Sequence, residues 1–94
     1  MKPIFEWDES KAKENLSKHK VSFDEAETVF DDPLSITISD VDHSKAERRF
    51  AVIGASDSGR VLVVSYTERG GTTRLISARR ATRGERSEYE EEIR

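Results

Sequence analysis

A chain of 94 residues has room for one domain and one core, and its 34% apolar content set against 37% charged residues leaves little core to spare. With no cysteine, a disulfide scaffold and a cysteine-ligated zinc site are both excluded. The net charge of −3 argues against a generally basic nucleic-acid binder, and no apolar run approaches membrane-spanning length.

In chain order, Ile4 to Trp7 reads as a short first strand. Asp8 is a suitable N-cap for a helix running to Lys18 or His19, with a thin apolar side of Ala12 and Leu16 and His19 in the same phase. Ser22 and Glu25 stand at capping-box spacing and open a second helix, whose Phe23, Ala26, Val29 and Phe30 share one face. Asp32-Pro33 ends it. Leu34 to Ile38 alternates and is β-branched, which predicts a strand. Asp40 to Lys45 is a polar loop that includes His43.

A second strand of the sheet is expected from Arg48 to Gly54, with Phe50 and Val52 facing one way. Asp57-Ser58-Gly59 is a turn. Arg60 to Thr67 is almost continuously apolar and predicts a central strand buried on both faces for part of its length. Gly70-Gly71 is a hairpin turn, and Thr73 to Arg80 is the last strand. Thr82 and Glu85 form another capping box, opening a helix through Tyr89 to Ile93.

The resulting order, β-α-α-β-β-β-β-α, is that of a single α+β domain over residues 1–94. Its last four strands form an antiparallel meander, and the helices are expected on one face. No leader resembling a signal peptide is seen at the N-terminus, so the cytoplasm is the expected location.

The charge is distributed unevenly. From Phe5 to Asp32 there are nine acidic residues and four lysines; from Arg69 to Arg86 there are six arginines and one glutamate. A block of arginines, with their planar guanidinium forks, suits bidentate contacts to phosphate or carboxylate. Strict alternation along the last strand places Thr73, Leu75, Ser77 and Arg79 on one face and Arg74, Ile76, Ala78 and Arg80 on the other. The block therefore reads as an anion clamp, weighed against simple pairing with surface carboxylates.

His19, between Lys18 and Lys20 at a helix end, carries a side chain able to change protonation near neutral pH. It is a candidate acid or base, weighed against a helix C-cap role. Trp7 is weighed as a base-stacking platform or a core anchor. His19 and His43 have no metal-site spacing, and neither a metal nor a cofactor is expected. No glycine-rich phosphate loop, nucleophile elbow or paired-carboxylate motif is present.

Several segments together carry a family pattern: Phe5-Glu6-Trp7-Asp8; Lys11, Asn15 and Lys18-His19; Val21-Ser22-Phe23 and Ala26; Val29 to Pro33; Asp42-His43-Ser44; Glu47 to Phe50; Ile53-Gly54; Tyr66 to Gly70; Arg74 to Thr82; then Glu85-Arg86 and Tyr89. Taken together, the sequence resembles the BrnT family of bacterial toxins. The resemblance implies a RelE-like ribonuclease of a type II toxin–antitoxin pair, which cleaves RNA and stops translation. It also implies neutralisation by a BrnA-type ribbon-helix-helix antitoxin, through which alone operator DNA is contacted.

On that reading His19, Arg79, Arg80 and Lys18 are the catalytic candidates, and Trp7, Arg69, Lys20 and Arg74 the RNA-binding ones. The competing reading is a non-catalytic module that docks the antitoxin and serves as co-repressor. One departure stands out: the family commonly has glycine after the Lys-His pair, where this chain has Lys20.

Overall fold

In the computed structural model, residues 4–39 and 48–92 are described. The loop expected at Asp40 to Lys45, with His43, lies outside them. The elements are β1 (Ile4–Glu6), α1 (Glu9–His19), α2 (Phe23–Thr28) with a 3-10 turn (Val29–Asp31), β2 (Ile36–Ser39), β3 (Arg49–Ala55), β4 (Val61–Arg69), β5 (Thr72–Arg80) and α3 (Arg83–Glu92).

Local chemistry accounts for most boundaries. The Asp8 carboxylate accepts from the N–H groups of Ser10 and Lys11 and starts α1. Ser22 Oγ accepts from Glu25 N–H and starts α2. The capping box of α3 is complete in both directions, Glu85 N–H to Thr82 Oγ1 and Thr82 N–H to Glu85 Oε1. Gly70 and Gly71 have φ of 52° and 87° and join β4 to β5 through a two-residue loop, a conformation that favours glycine at both positions. β2 begins two residues later than its alternation suggests. Asp32 holds the preceding residues in a turn, its Oδ1 accepting from Leu34 N–H and its carbonyl from Ser35 N–H.

The five strands form one sheet in the order β1-β5-β4-β3-β2. β2 to β5 make the antiparallel meander, and β1 adds to the outer edge of β5 in parallel, Ile4 opposite Thr72 and Glu6 opposite Arg74.

The sheet is covered on both faces, not one. The first face carries Val52, Leu62, Val64, Tyr66, Leu75 and Ala78 against Val21, Phe23, Ala26 and Val29 from the α1–α2 turn, α2 and the 3-10 turn. The second carries Ala51, Ile53 and Val63, and Tyr89 of α3 closes over them. The reason lies in β3 and β4: consecutive apolar residues point to both sides, so a second apolar strip must be removed from water. Tyr89 is fixed by its hydroxyl, which donates to Asp32 Oδ2, an oxygen that also accepts from Ala55 N–H. Gly54 lets β3 approach this corner, since a Cβ there would stand 3.0 Å from Val29 Cγ1.

The expected alternation along β5 is interrupted. Ser77 opposes Ser65 and Leu75 opposes Tyr66, so Ile76 is left over as a bulge. Leu75 and Ala78, three apart, therefore both point into the first-face core. The grouping of Arg74 with Arg80 is corrected accordingly. Arg74 pairs across from Thr67 and Arg79 from Val63 on the second face, while Arg80 pairs across from Leu62 on the first.

Candidate functional site

At the C-terminal end of β5, the two adjacent arginines have opposite fates. Arg79 grips Glu85 through two parallel hydrogen bonds, 2.7 and 2.8 Å, and a third runs to the Arg80 carbonyl at 3.3 Å. Its hydrogen bond is the main influence that draws the Glu85 carboxyl down to a pKa of about 2, against the opposing effect of burial. Arg80, by contrast, is exposed and has no ion-pair partner among the described residues. It lines a cavity with Arg60, Arg86 and Glu90. Three guanidinium groups line this cavity against Glu90, and even with Arg60 paired to Glu25 positive charge is in excess, which suits an anion.

Arg60 connects the cavity to the end of α1. Its Nη2 donates to the Lys20 carbonyl at 3.1 Å, while its guanidinium also grips Glu25. Glu25 accepts further bonds from Ser56 Oγ and Ser58 Oγ, 2.7 and 2.6 Å. The Arg60 hydrogen bond dominates in holding the Glu25 carboxyl at a pKa of about 2; burial works against it and the serines assist. Arg60 is thus an anchored cation at the cavity wall.

Lys20 occupies the left-handed region, φ 60° and ψ 32°, where the chain leaves α1. The position that the family commonly fills with glycine does need that conformation here. The lysine head folds back, Nζ to Ser17 carbonyl at 3.0 Å. Lys18 and His19 line a separate groove with Lys11, Glu14, Asn15, Ile76 and Ser77. The Lys-His end of α1 therefore shares a groove with Ile76 of the β5 bulge, and Arg60, which lines the Arg80 cavity, bonds the Lys20 carbonyl just past that helix end.

Other candidates are placed elsewhere. Arg69 flanks the Gly70-Gly71 turn at the far end of β5, separated from Arg80 by roughly 25 Å of strand. Arg74 forms an ion pair with Glu6 at 3.1 Å on the β1–β5 edge. Trp7 lies edge-on to Phe23 with ring centroids 5.8 Å apart, and its indole N–H donates to Glu9. The extended β4–β5 hairpin separates Arg69 and Arg74 from Arg79 and Arg80, and α3, which opens at Arg83, brings Arg86 to the cavity beside Arg80.

Two participants were not among the candidate site residues. Arg60 stands at the start of an apolar strand and gains its meaning only from Glu25 and Lys20. Asn15 is 7% exposed in the middle of α1, whereas Leu16, expected on the buried side, is 50% exposed. A carboxamide in the buried phase of a helix was the available signal, since a buried amide must find partners.

A small α+β protein, with one basic end shared between a helix terminus and a strand terminus, is a protein built to meet an anionic partner. The family model described as "Ribonuclease toxin, BrnT, of type II toxin-antitoxin system" matches residues 7–85, and the chain belongs to that family. Among solved structures, the 1.1 Å crystal structure of the Brucella abortus ribonuclease toxin BrnT is similar, with 27% identity and a TM-score of 0.64, covering 88% of this chain and 99% of that one. No curated protein shows a comparable sequence similarity. Membership of a toxin–antitoxin family implies an antitoxin partner. Among the described residues, no helix is long and apolar enough to cross a membrane.

Proposed function

We propose that this chain is a metal-independent endoribonuclease toxin that cleaves RNA in the cytoplasm and so arrests translation. The ribose 2′-hydroxyl attacks the adjacent phosphorus, the 5′-oxygen leaves with a proton, and the products are a 2′,3′-cyclic phosphate and a 5′-hydroxyl. The reaction needs a base, an acid and positive charge on the pentavalent phosphorane. His19 serves as acid or base and Lys18 supplies charge or a proton. Arg80 stabilises the phosphorane, and Arg79, already neutralised by Glu85, braces the strand end.

The observation that carries this reading is the division of labour at the end of β5: one arginine committed to a carboxylate, the next keeping its charge beside Arg60 and Arg86. Lys20 extends the positive surface towards the groove. Arg69, Arg74 and Trp7 serve as outer contacts to the RNA chain by exchanging present partners, which for Arg74 and Trp7 are Glu6 and Glu9.

The arrangement is read as RelE-like, and the neutralising partner as a BrnA-type ribbon-helix-helix antitoxin. An acidic antitoxin segment laid on the Arg80 cavity would block substrate phosphate by occupying the same guanidinium groups. The antitoxin alone would touch operator DNA.

The test is to free the purified chain from its partner and incubate it with RNA in a chelating buffer. Cleavage with cyclic-phosphate ends supports the proposal. Intact RNA over a range of salt, together with tight antitoxin binding that Arg80→Ala abolishes, would instead make the chain a non-catalytic binding module and co-repressor.

A further inference from the structure

β5 has nine residues, but β1 pairs only with Thr72, Thr73 and Arg74. Beyond them the outer edge of β5 has no neighbouring strand among the described residues, and its backbone groups need other partners. Asn15 supplies them at Ala78. Its Oδ1 accepts from Ala78 N–H at 3.0 Å, and its Nδ2 donates to Ala78 carbonyl at 2.8 Å. The carboxamide thus stands in for a peptide unit of a missing strand. The second Nδ2 hydrogen goes to the Val21 carbonyl at 2.9 Å, just past the left-handed turn at Lys20.

Three pieces meet at this one side chain. Ala78 is immediately followed by Arg79 and Arg80. His19 is one helical turn beyond Asn15 and lines the same groove. Val21 fixes the exit of the chain from α1. Only a group with two N–H donors and one carbonyl acceptor satisfies all three contacts at this reach. A carboxylate lacks the donors, and a glutamine is one methylene too long.

We infer that Asn15 is a positioning residue, whose carboxamide holds the Lys18–His19 end of α1 in register with the Arg79–Arg80 end of β5. The inference rests on the cleavage reaction proposed above. It assigns Asn15 no contact with substrate; the side chain acts through the placement of His19 relative to Arg80. Misplacement of reacting groups by about 1 Å can lower a rate on the order of 100-fold.

The experiment uses the full chain carrying Asn15→Asp, with Asn15→Ala as a second variant. Folding is followed by circular dichroism, single-turnover RNA cleavage by kcat and KM, and the placement of His19 by NMR contacts between its ring and the Ile76 side chain. At neutral pH an ionised carboxyl faces two carbonyl oxygens and cannot donate. Asn15→Asp is therefore expected to lose kcat on the order of 100-fold with KM little changed, and to lose the His19–Ile76 contacts. Burial beside those carbonyls raises the pKa of the introduced carboxyl. Once protonated it again offers one donor and one acceptor to Ala78. The ratio of variant to wild-type rate should consequently climb as pH falls, and the ring contacts should return.

Lys11, Glu14, Lys18 and His19 also face the groove, and Asn15→Ala, which frees His19 without adding a carboxyl, is the control for them. Asn15→Ala should show the loss without the recovery. A folded variant with wild-type kcat and wild-type ring contacts overturns the inference. So does a variant that only melts earlier, or a failure of both variants to fold at any pH, since these assign Asn15 to stability alone. If the wild-type chain leaves RNA intact, the cleavage reaction falls, and the NMR contacts by themselves decide whether Asn15 sets the position of His19.

Discussion

The guanidinium of Arg79 and the carboxylate of Glu85 meet as a two-pronged pair, Nη1 to Oε1 at 2.7 Å and Nη2 to Oε2 at 2.8 Å. The same Oε1 accepts from Thr82 N–H, so one carboxylate both ties β5 to α3 and caps the helix. Glu85→Gln keeps the capping geometry and loses the ionic partner, whereas Glu85→Ala loses both. The alanine variant should lose about 1–2 kcal/mol and the glutamine variant less. Thermal melts resolve the order, because each kcal/mol shifts Tm by roughly 4–8 °C in a domain of this size. Identical melts for all three proteins would show that the pair contributes nothing to stability.

Arg79 and Arg80 should separate in mutagenesis. Arg80→Ala removes an exposed side chain with no ion pair among the described residues and should leave stability within about 0.5 kcal/mol of wild type. RNA cleavage should fall on the order of 100-fold, the loss expected for one transition-state donor. Arg79→Ala should lower both stability and activity. Cleavage assays on each purified variant, read beside its melting curve, check this. Normal cleavage by Arg80→Ala would remove the cavity from the mechanism.

Lys20 bears a side chain where the backbone is left-handed, at φ 60°. That conformation costs a non-glycine residue roughly 1–2 kcal/mol. Lys20→Gly relieves the strain, gives up the hydrogen bond to Ser17 and adds freedom to the unfolded chain. The net result should be a gain of about 0.5–1 kcal/mol, visible as a higher urea midpoint at unchanged slope. A lower midpoint would mean that the lysine head contributes more than its backbone costs.

Acid should weaken the fold over a defined range. Glu25 and Glu85 have pKa values of about 2 in the folded chain, depressed chiefly by hydrogen bonds from Arg60 and Arg79, against 4.5 for the free side chain. A depressed folded-state pKa means that the unfolded state takes up protons first. The stabilisation is therefore fully present above about pH 4.5 and is lost as pH falls towards about 2. Asp32 adds to the trend: burial opposes ionisation there, but bonds from Ala55, Tyr89 and Leu34 outweigh it and lower the pKa. Urea titrations at descending pH should show the decline, and Glu25→Gln should flatten it. An unchanged slope in that variant would separate Glu25 from the acid response.

Much of the architecture could be read from neighbours along the chain. Asp8 capping α1, the Thr82–Glu85 box, the Gly70-Gly71 turn and the alternation in β3 and β4 each depend on residues within a few positions of one another. The antiparallel meander followed from them. The candidate site was legible in part: the Lys-His helix end and the arginine-rich strand end were visible as charge and position. Which arginine is committed to a carboxylate was not, because the spacing of Arg79 and Arg80 to Glu85 differs by only one residue and the choice depends on which sheet face α3 covers.

The basic block, the capping signals at Asp8, Ser22 and Thr82 and the family pattern were determined by the sequence itself, since short-range sterics and hydrogen bonding act between near neighbours. The tertiary structure alone decided the rest. It drew the Glu25 carboxylate from its local capping box to Arg60, 35 residues away, and set Asn15 against Ala78, 63 residues away. It also left Ile76 out of register, which moved Arg80 to a different face from Arg74. Each of these outcomes satisfies a buried charge, an open sheet edge or a core side chain. Such demands arise only once distant segments have excluded water from one another, so no window of adjacent residues contains them.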